Sequence, residues 1–380
     1  MKRVRADLFY LLLVCFSLLL TACFSPWAGE EDSEIGTIVL DLGNGRFAAM
    51  SQIQYTIYLR RVVNDIQGDR IQHGQPVSHA SSIRITVSPG IYHIELEARL
   101  NVHDYATGST AYPVTVMAGG NVNAIVQMTM SFNLDTFLAD STIGNTADNP
   151  ILLPWASQLS AANWNALLSS LENSGKFVSL DLSAATRGGS SDILDSDGVF
   201  DPRLGNSSPG MTQIVGLTLP EAAEIIADGT STNSVFQDFS NLRNVNTGNG
   251  IVRVGTWAFN MASLETLILG NKVEEIRLAA FYGNNQLTTV NIPNSVNIVG
   301  ADAFGSSYRI SEIILPDDVE VQATAFFYAF SYLASEPFRI TIGTNVTFIG
   351  TVTPHGNFQD VYAANGAGVY IYDGTTWVKQ

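Results

Sequence analysis

The sequence predicts two all-β units in series: an antiparallel sandwich, then a solenoid of short parallel strands with little helix. Between residues 35 and 133, apolar and polar residues alternate in short runs broken by Gly and Pro. Between residues 213 and 350, phenylalanines recur at 259, 281, 304 and 326, at intervals of 22, 23 and 22. A third observation, an export signal, places both units outside the cytoplasm.

That signal has three zones. Lys2, Arg3 and Arg5 open the chain, Phe9 to Leu20 is almost wholly apolar, and Leu20-Thr21-Ala22-Cys23 follows. A basic end, an apolar run and small residues before a cleavage point mark a segment that is removed. As a helix the run would cover only ~18 Å of a ~30 Å hydrocarbon core, so it is too short to span. Leu20 to Cys23 resembles the bacterial lipobox at all four positions. The resemblance implies a signal peptide over 1–22, a diacylglycerol-bearing and N-acylated Cys23, and a lipid bilayer as partner. One acyl chain attaches reversibly, whereas two or more anchor stably. Residues 23–34 then form an acidic tether, and Phe24 in place of Asp after the cysteine favours the outer membrane or cell surface over the inner membrane. Cys15 leaves with the signal, so the mature chain has no second thiol for a disulfide or thiolate metal site.

The formal charge is -16, with only 19 Lys and Arg, and they are scattered. The signal carries three cations and one anion, so its loss leaves about -18. Such a chain lacks the cationic surface that nucleic-acid phosphates require, which excludes that partner class.

In the first unit, residues 35–133, strands are expected at 35–42, 55–59, 83–87, 91–98, 112–116 and 122–128. Gly43-Asn44-Gly45, Ser88-Pro89-Gly90 and Ala118-Gly119-Gly120 supply turns. Six or seven strands in about 100 residues fit a small β-sandwich. The Val87-Ser-Pro-Gly-Ile-Tyr92 passage resembles a hairpin of immunoglobulin-like and transthyretin-like domains, so the sandwich is expected to be immunoglobulin-like. His73 and His79 fall in a polar loop, His93 in a strand and His103 after one. They lack ligand spacing, and no metal or cofactor is expected.

Residues 134–212 read as a linker and a helix–strand cap for the array. Thr146 to Pro154 has turn residues. Trp164, Leu167, Leu168 and Leu171 share a helical face, with Ser160 to cap it and Gly175 to end it. Phe177 to Leu182 is a strand. A helix and a strand here would cover the apolar end of a stack. Asp195, Asp197 and Asp201 surround Gly198 and superficially suggest calcium ligands, but the twelfth position is Asn206 where a bidentate Glu belongs.

In the array, strand-leading positions 264, 287, 310 and 333 recur every 23 residues. Each unit offers an L-x-x-(L/V/I)-x-(L/I) strand and an (I/V)-x-x-x-A-F segment. Repetition at this period marks a leucine-rich-repeat solenoid, whose units bury their apolar faces only by stacking. Ala258, Ala280, Ala303 and Ala325 leave room for the adjacent rings. Partial copies precede the array at Leu217–Pro220 with Ile225, and at Phe236 and Phe239 with Leu242. Val299-Gly300, Ala303-Phe304, Ile310, Ile313, Leu315-Pro316 and Val319 match the pattern of the BspA-like repeat family, treponemal type, as do Leu287, Val290, Ile292-Pro293 and Val296. The family's frequent Cys is replaced by Met261, Asn284 and Ser307.

The resemblance implies a cell-surface module for adhesion to a host or bacterial surface protein. The exposed strand positions Glu265, Thr266, Thr288, Thr289, Asn291, Ser311 and Glu312 are the candidate binding face, a polar and mildly acidic row. A purely structural envelope role and a glycan-binding module are the alternatives. A hydrolase is disfavoured: no histidine lies between Gln213 and Thr353, and no nucleophile, zinc or phosphate-loop motif occurs. Residues 351–380, with Tyr370, Tyr372, Trp377 and an Asp373-Gly374 turn, read as a hairpin covering the last coil.

Overall fold

The computed structural model describes residues 35–41, 53–78, 82–100, 103–130, 132–140, 145–206, 209–329, 338–351, 358–372 and 375–380. The signal, Cys23, the tether, Gly43-Asn44-Gly45, His79, Leu333, His355 and Asp373-Gly374 lie outside the described residues.

The first unit is a ten-stranded sheet. Its main strands are β1 (Gly36–Asp41), β2 (Ile53–Val63), β3 (Ser82–Val87), β4 (Gly90–Leu100), β5 (His103–Thr110), β6 (Val114–Val116) and β7 (Asn121–Met130). The order along the sheet is β2-β4-β5-β7-β1-β3, with β6 also on β4 and three two-residue strands along β2. β7 joins the two parts: Asn121–Ile125 runs parallel to β1, and Val126–Met130 runs antiparallel to β5. Period-two burial is strict on the long strands. Ile53, Tyr55, Ile57 and Leu59 on β2 point into the core with Tyr92, Ile94, Leu96 and Leu100 on β4. Asn64 and Asp65, both at positive φ, form the two-residue turn that leaves β2, a position suited to short polar side chains.

β5 has no alternating apolar signature, and the sequence reading put His103 after a strand, not at the start of one. Its place is set by its neighbours: it lies between β4 and β7, and Tyr105, Ala106 and Thr110 are buried there.

A short helix, α1 (Leu134–Ala139), follows, capped by Asn133, whose Oδ1 accepts from the Thr136 N–H at 2.9 Å. The stretch read as a turn-rich linker contains strand β8 (Ile151–Pro154), parallel to β9 (Val178–Asp181). β8 is the edge of its sheet, where the missing N–H of Pro154 does no harm. Helix α2 (Ala161–Ser174) is as its pattern predicts. Ser160 accepts from the Asn163 N–H, Gly175 ends it at φ 63, and Trp164, Leu167, Leu168 and Leu171 are buried.

The array has two parallel ladders. One runs β8, β9, β10 (Ile214–Thr218), β11 (Asn244–Asn246) and β12 (Thr266–Ile268). It resumes with β13 (Thr289–Asn291), β14 (Glu312–Leu315) and β15 (Phe338–Ile342). The other ladder comprises seven two-residue strands from Val199–Phe200 to Thr347–Phe348. Between the ladders the phenylalanines form one file. Phe236, Phe259, Phe281, Phe304 and Phe326 stack with successive centroid distances of 4.2, 5.3, 5.2 and 5.5 Å and near-parallel planes. The four neighbouring alanines are wholly buried.

The backbone around each ring is specialised. Trp257, Ala279, Asp302 and Thr324, two residues before the ring, have φ of 54, 51, 53 and 62°. Met261, Gly283, Ser306 and Tyr328, two residues after it, are left-handed as well. For a residue with a Cβ this conformation costs about 1–2 kcal/mol. The compensation is a row of N–H groups aimed at the next coil. Phe259, Phe281 and Phe304 donate to the carbonyls of Ala280, Ala303 and Ala325, and Met261 and Ser306 to those of Tyr282 and Phe327.

Met261, expected with Asn284 and Ser307 in the place of the family's Cys, does not share their position. Asn284 and Ser307 do share the buried position after the ring, but Met261 falls with Gly283 and Ser306, and Ala262 fills the buried place. The cause is a coil one residue shorter between Phe259 and Leu264 than its successors are between ring and strand. The Leu287 N–H bonds to Asn284 O within its own coil at 3.2 Å. The Leu264 N–H instead takes Asn284 Oδ1 from the next coil at 3.0 Å, while Asn284 Nδ2 donates to Phe259 O and Phe281 O, both at 2.9 Å.

The tail reverses direction. β16 (Gly368–Tyr372) pairs antiparallel with β15, and β17 (Trp377–Lys379) pairs with β16. A helix that the sequence reading did not include, α3 (Phe358–Asn365), precedes the hairpin. Phe358 meets Tyr370 and Trp377 at 5.6 and 4.9 Å, so these rings are buried against the last coil and do not present themselves to a sugar.

Replacing Phe281 with Ala removes the central ring of the file and should destabilise the array by about 3–5 kcal/mol, measured by urea denaturation. Asn284→Ala leaves buried groups of two coils unpaired, at about 1–3 kcal/mol each. It should therefore lower the urea midpoint far more than Asn285→Ala on the exposed side.

Candidate binding face of the repeat array

Along β11 to β15 the side chains alternate between core and solvent. Val245, Val290, Ile313 and Ile340 face inward and are 0–3% exposed, and Leu267 at the same position of β12 is half-buried. The outward positions fall into register from coil to coil: Asn244 beside Thr266, and Thr289 beside Glu312 and then Arg339. A second outward column holds Asn246 and Ile268, then Asn291, Ile314 and Thr341. Of the sequence-derived face, Glu265, Thr266, Thr288, Thr289 and Asn291 are exposed, and Ser311 and Glu312 are half-buried.

The face is less acidic than its own strand residues suggest. Arg243 precedes β11 in the column of Glu265 and lies 3.7 Å from it, while its other nitrogen reaches Asp148 at 2.7 Å. The Asp148 carboxylate is the main group raising the Arg243 pKa above its usual value. Glu312 has Arg339 at 3.6 Å. These pairs are solvent-exposed, so each adds under ~1 kcal/mol to stability; Arg339 balances Glu312, whereas Arg243 is shared by Asp148 and Glu265 and only partly offsets them. Thr266 donates its hydroxyl to Asn244, and Ser311 donates N–H and hydroxyl to Thr288 O at 2.8 and 3.3 Å. Among the described residues Thr289 and Asn291 carry no such side-chain bond, and they lie on β13, the middle strand of the five.

Arg243, Asn244, Ile268 and Arg339 are members of the face that sequence reasoning missed. The first two follow Leu242 by one and two residues, so aligning that partial copy with Leu264 would have found them. Ile268 is 59% exposed at a position the repeat pattern marks as outward, but an isoleucine reads as core. Arg339 follows an altered segment that the repeat pattern does not reach. No ladder joins β12 to β13, so the face has a seam at its middle.

The acidic loop is built for itself. Asp195 Oδ1 accepts from the N–H groups of Asp197 and Val199 at 2.9 and 2.8 Å, and Asp201 holds Arg203 through both oxygens. Asp192 accepts from the Ala161 N–H at the start of α2. Among the described residues no three His, Cys, Asp or Glu side chains cluster as a cation site would require. His73 lies beside a short strand, where burial lowers its pKa, and His93 Nδ1 is 3.5 Å from the Thr110 hydroxyl. Among the described residues no helix is long and apolar enough to cross a membrane.

Residues 211–334, about a third of the chain, match the family described as "BspA type Leucine rich repeat region", in six copies. No curated protein and no solved structure matches the chain.

Proposed function

We propose, from an array that is a BspA-type leucine-rich repeat, that the protein is a lipid-anchored envelope module binding another protein through its outward strand face. The observation that carries this reading is the division of labour on β11 to β15. Inward residues make the core, whereas Thr289, Asn291 and Ile268 stand in solvent, with no side-chain hydrogen bond among the described residues. Solenoids use such extended, rigid faces for recognition because outward residues vary without disturbing the stack. The repeat type supports a surface-associated interaction module, and adhesion to a host or bacterial surface protein is the specific form proposed. The N-terminal unit, taken as an immunoglobulin-like sandwich, would act as a spacer between bilayer and array.

The pairing of both glutamates with arginines shifts the expected partner from a basic patch toward a mixed polar surface with room for one apolar contact at Ile268. Thr289→Arg combined with Asn291→Arg should weaken adhesion to host matrix proteins by about tenfold or more, with an unchanged melting temperature. Equal adhesion by the variant would eliminate this face as the binding surface.

Anchoring is tested separately. Cys23→Ser should abolish incorporation of an alkynyl palmitate analogue and move the protein from the membrane pellet to the supernatant. Retention in the pellet without label would mean that something other than acyl chains holds it.

A further inference from the structure

At the ends of the face strands the chain turns through Leu269-Gly270-Asn271, Ile292-Pro293-Asn294 and Leu315-Pro316-Asp317. These three turns line an open surface groove of about 580 Å³ beside the seam between β12 and β13, with Asn271, Asn291, Asn294 and Asp317 exposed along it. That volume is within the range of about 300–1,000 Å³ found for small-molecule sites. Its lining is chemically selective. Asn271, Asn291 and Asn294 bring three side-chain amides, Asp317 a carboxylate, and the half-buried Pro293 apolar ring surface, while no Lys, Arg or His takes part.

The three amides make no side-chain hydrogen bond within the described structure, in contrast to Asn284 a coil's width away. Asp317 is half committed. Its Oδ1 accepts from the N–H and hydroxyl of Thr344 at 2.6 and 2.9 Å, while Oδ2 has no partner among the described residues. The Thr344 N–H, and after it the hydroxyl, hold this carboxyl below the usual carboxylate range, so it stays an acceptor at neutral pH.

We infer that this turn groove is a binding site for a neutral saccharide. A sugar hydroxyl is donor and acceptor at once, and a side-chain amide offers both roles at one position. A fixed carboxylate oxygen accepts from one or two further hydroxyls with the added strength of its charge. The C–H face of a pyranose matches the exposed part of the Pro293 ring. Anionic sugars are disfavoured because no cation lines the groove and Asp317 repels them. The site lies at the strand ends and needs only Asn291 from the strand face, so it can function whether or not that face binds a protein.

The test is a titration of the purified chain with neutral mono-, di- and trisaccharides, including lactose, maltotriose and N,N′-diacetylchitobiose, with sialyllactose as the anionic probe. Ligand-observed NMR reads binding. At least one neutral sugar should bind saturably in the millimolar range, and sialyllactose should bind more weakly. Asn294→Ala and Asp317→Ala should each weaken binding about fivefold to tenfold. Glu265→Arg, on the strand face, should leave it unchanged, which separates this site from the proposed protein-binding surface. Thermal melting confirms that the variants fold, and Asp317→Asn, which keeps an acceptor for Thr344, serves if Asp317→Ala does not. Absence of saturable binding across the neutral panel, equal affinity for sialyllactose, or binding indifferent to both substitutions would overturn the proposal.

Discussion

Contact between successive coils is the constraint from which the array follows. A coil of 22 or 23 residues has no interior of its own: its phenylalanine, its alanine and its strand-leading aliphatic residue are covered only by the coils before and after. Stacked rings about 5 Å apart supply the apolar contact, and N–H groups aimed along the stack supply its direction. The left-handed residues on either side of each ring are tolerated because they orient those donors. Stability in such a stack is shared between neighbours, so damage at one ring weakens both adjoining interfaces.

The same constraint explains what the sequence disclosed. Spacing at Phe259, Phe281, Phe304 and Phe326 was legible because repetition multiplies a weak local signal. The helix from Ala161 was legible through its cap, its glycine stop and its apolar face. β5 was not legible, because Asp104 to Thr110 carries no alternation and is a strand only by virtue of the strands on either side. Nor was β8, where Pro154 signals a turn unless the strand is known to be an edge. The shift of Met261 was hidden by the even 23-residue spacing of the strand leaders, although the shorter stretch from Phe259 to Leu264 carries it.

The candidate face was legible in outline for a related reason. The repeat template tells which positions point outward but not what lies across from them. Glu265 and Glu312 read as an acidic row until Arg243 and Arg339 are seen beside them. Ile268 was left out of the face although its template position points outward, because an isoleucine suggests core. The turn groove is further removed from sequence: Asn271, Asn294 and Asp317 lie 23 residues apart and look like ordinary turn formers.

The antiparallel strand at the end of the array limits how this architecture can grow. A solenoid with a bare final coil offers its edge to another chain and can polymerise or accept new units. Here β16 reverses the strand direction and α3 closes the apolar end, so no parallel coil can be appended after Phe338. Lengthening by duplication must occur upstream, between the helical cap at Trp164 and the closing hairpin. The two ends would then stay fixed while the middle of the recognition surface is free to expand or contract over evolutionary time.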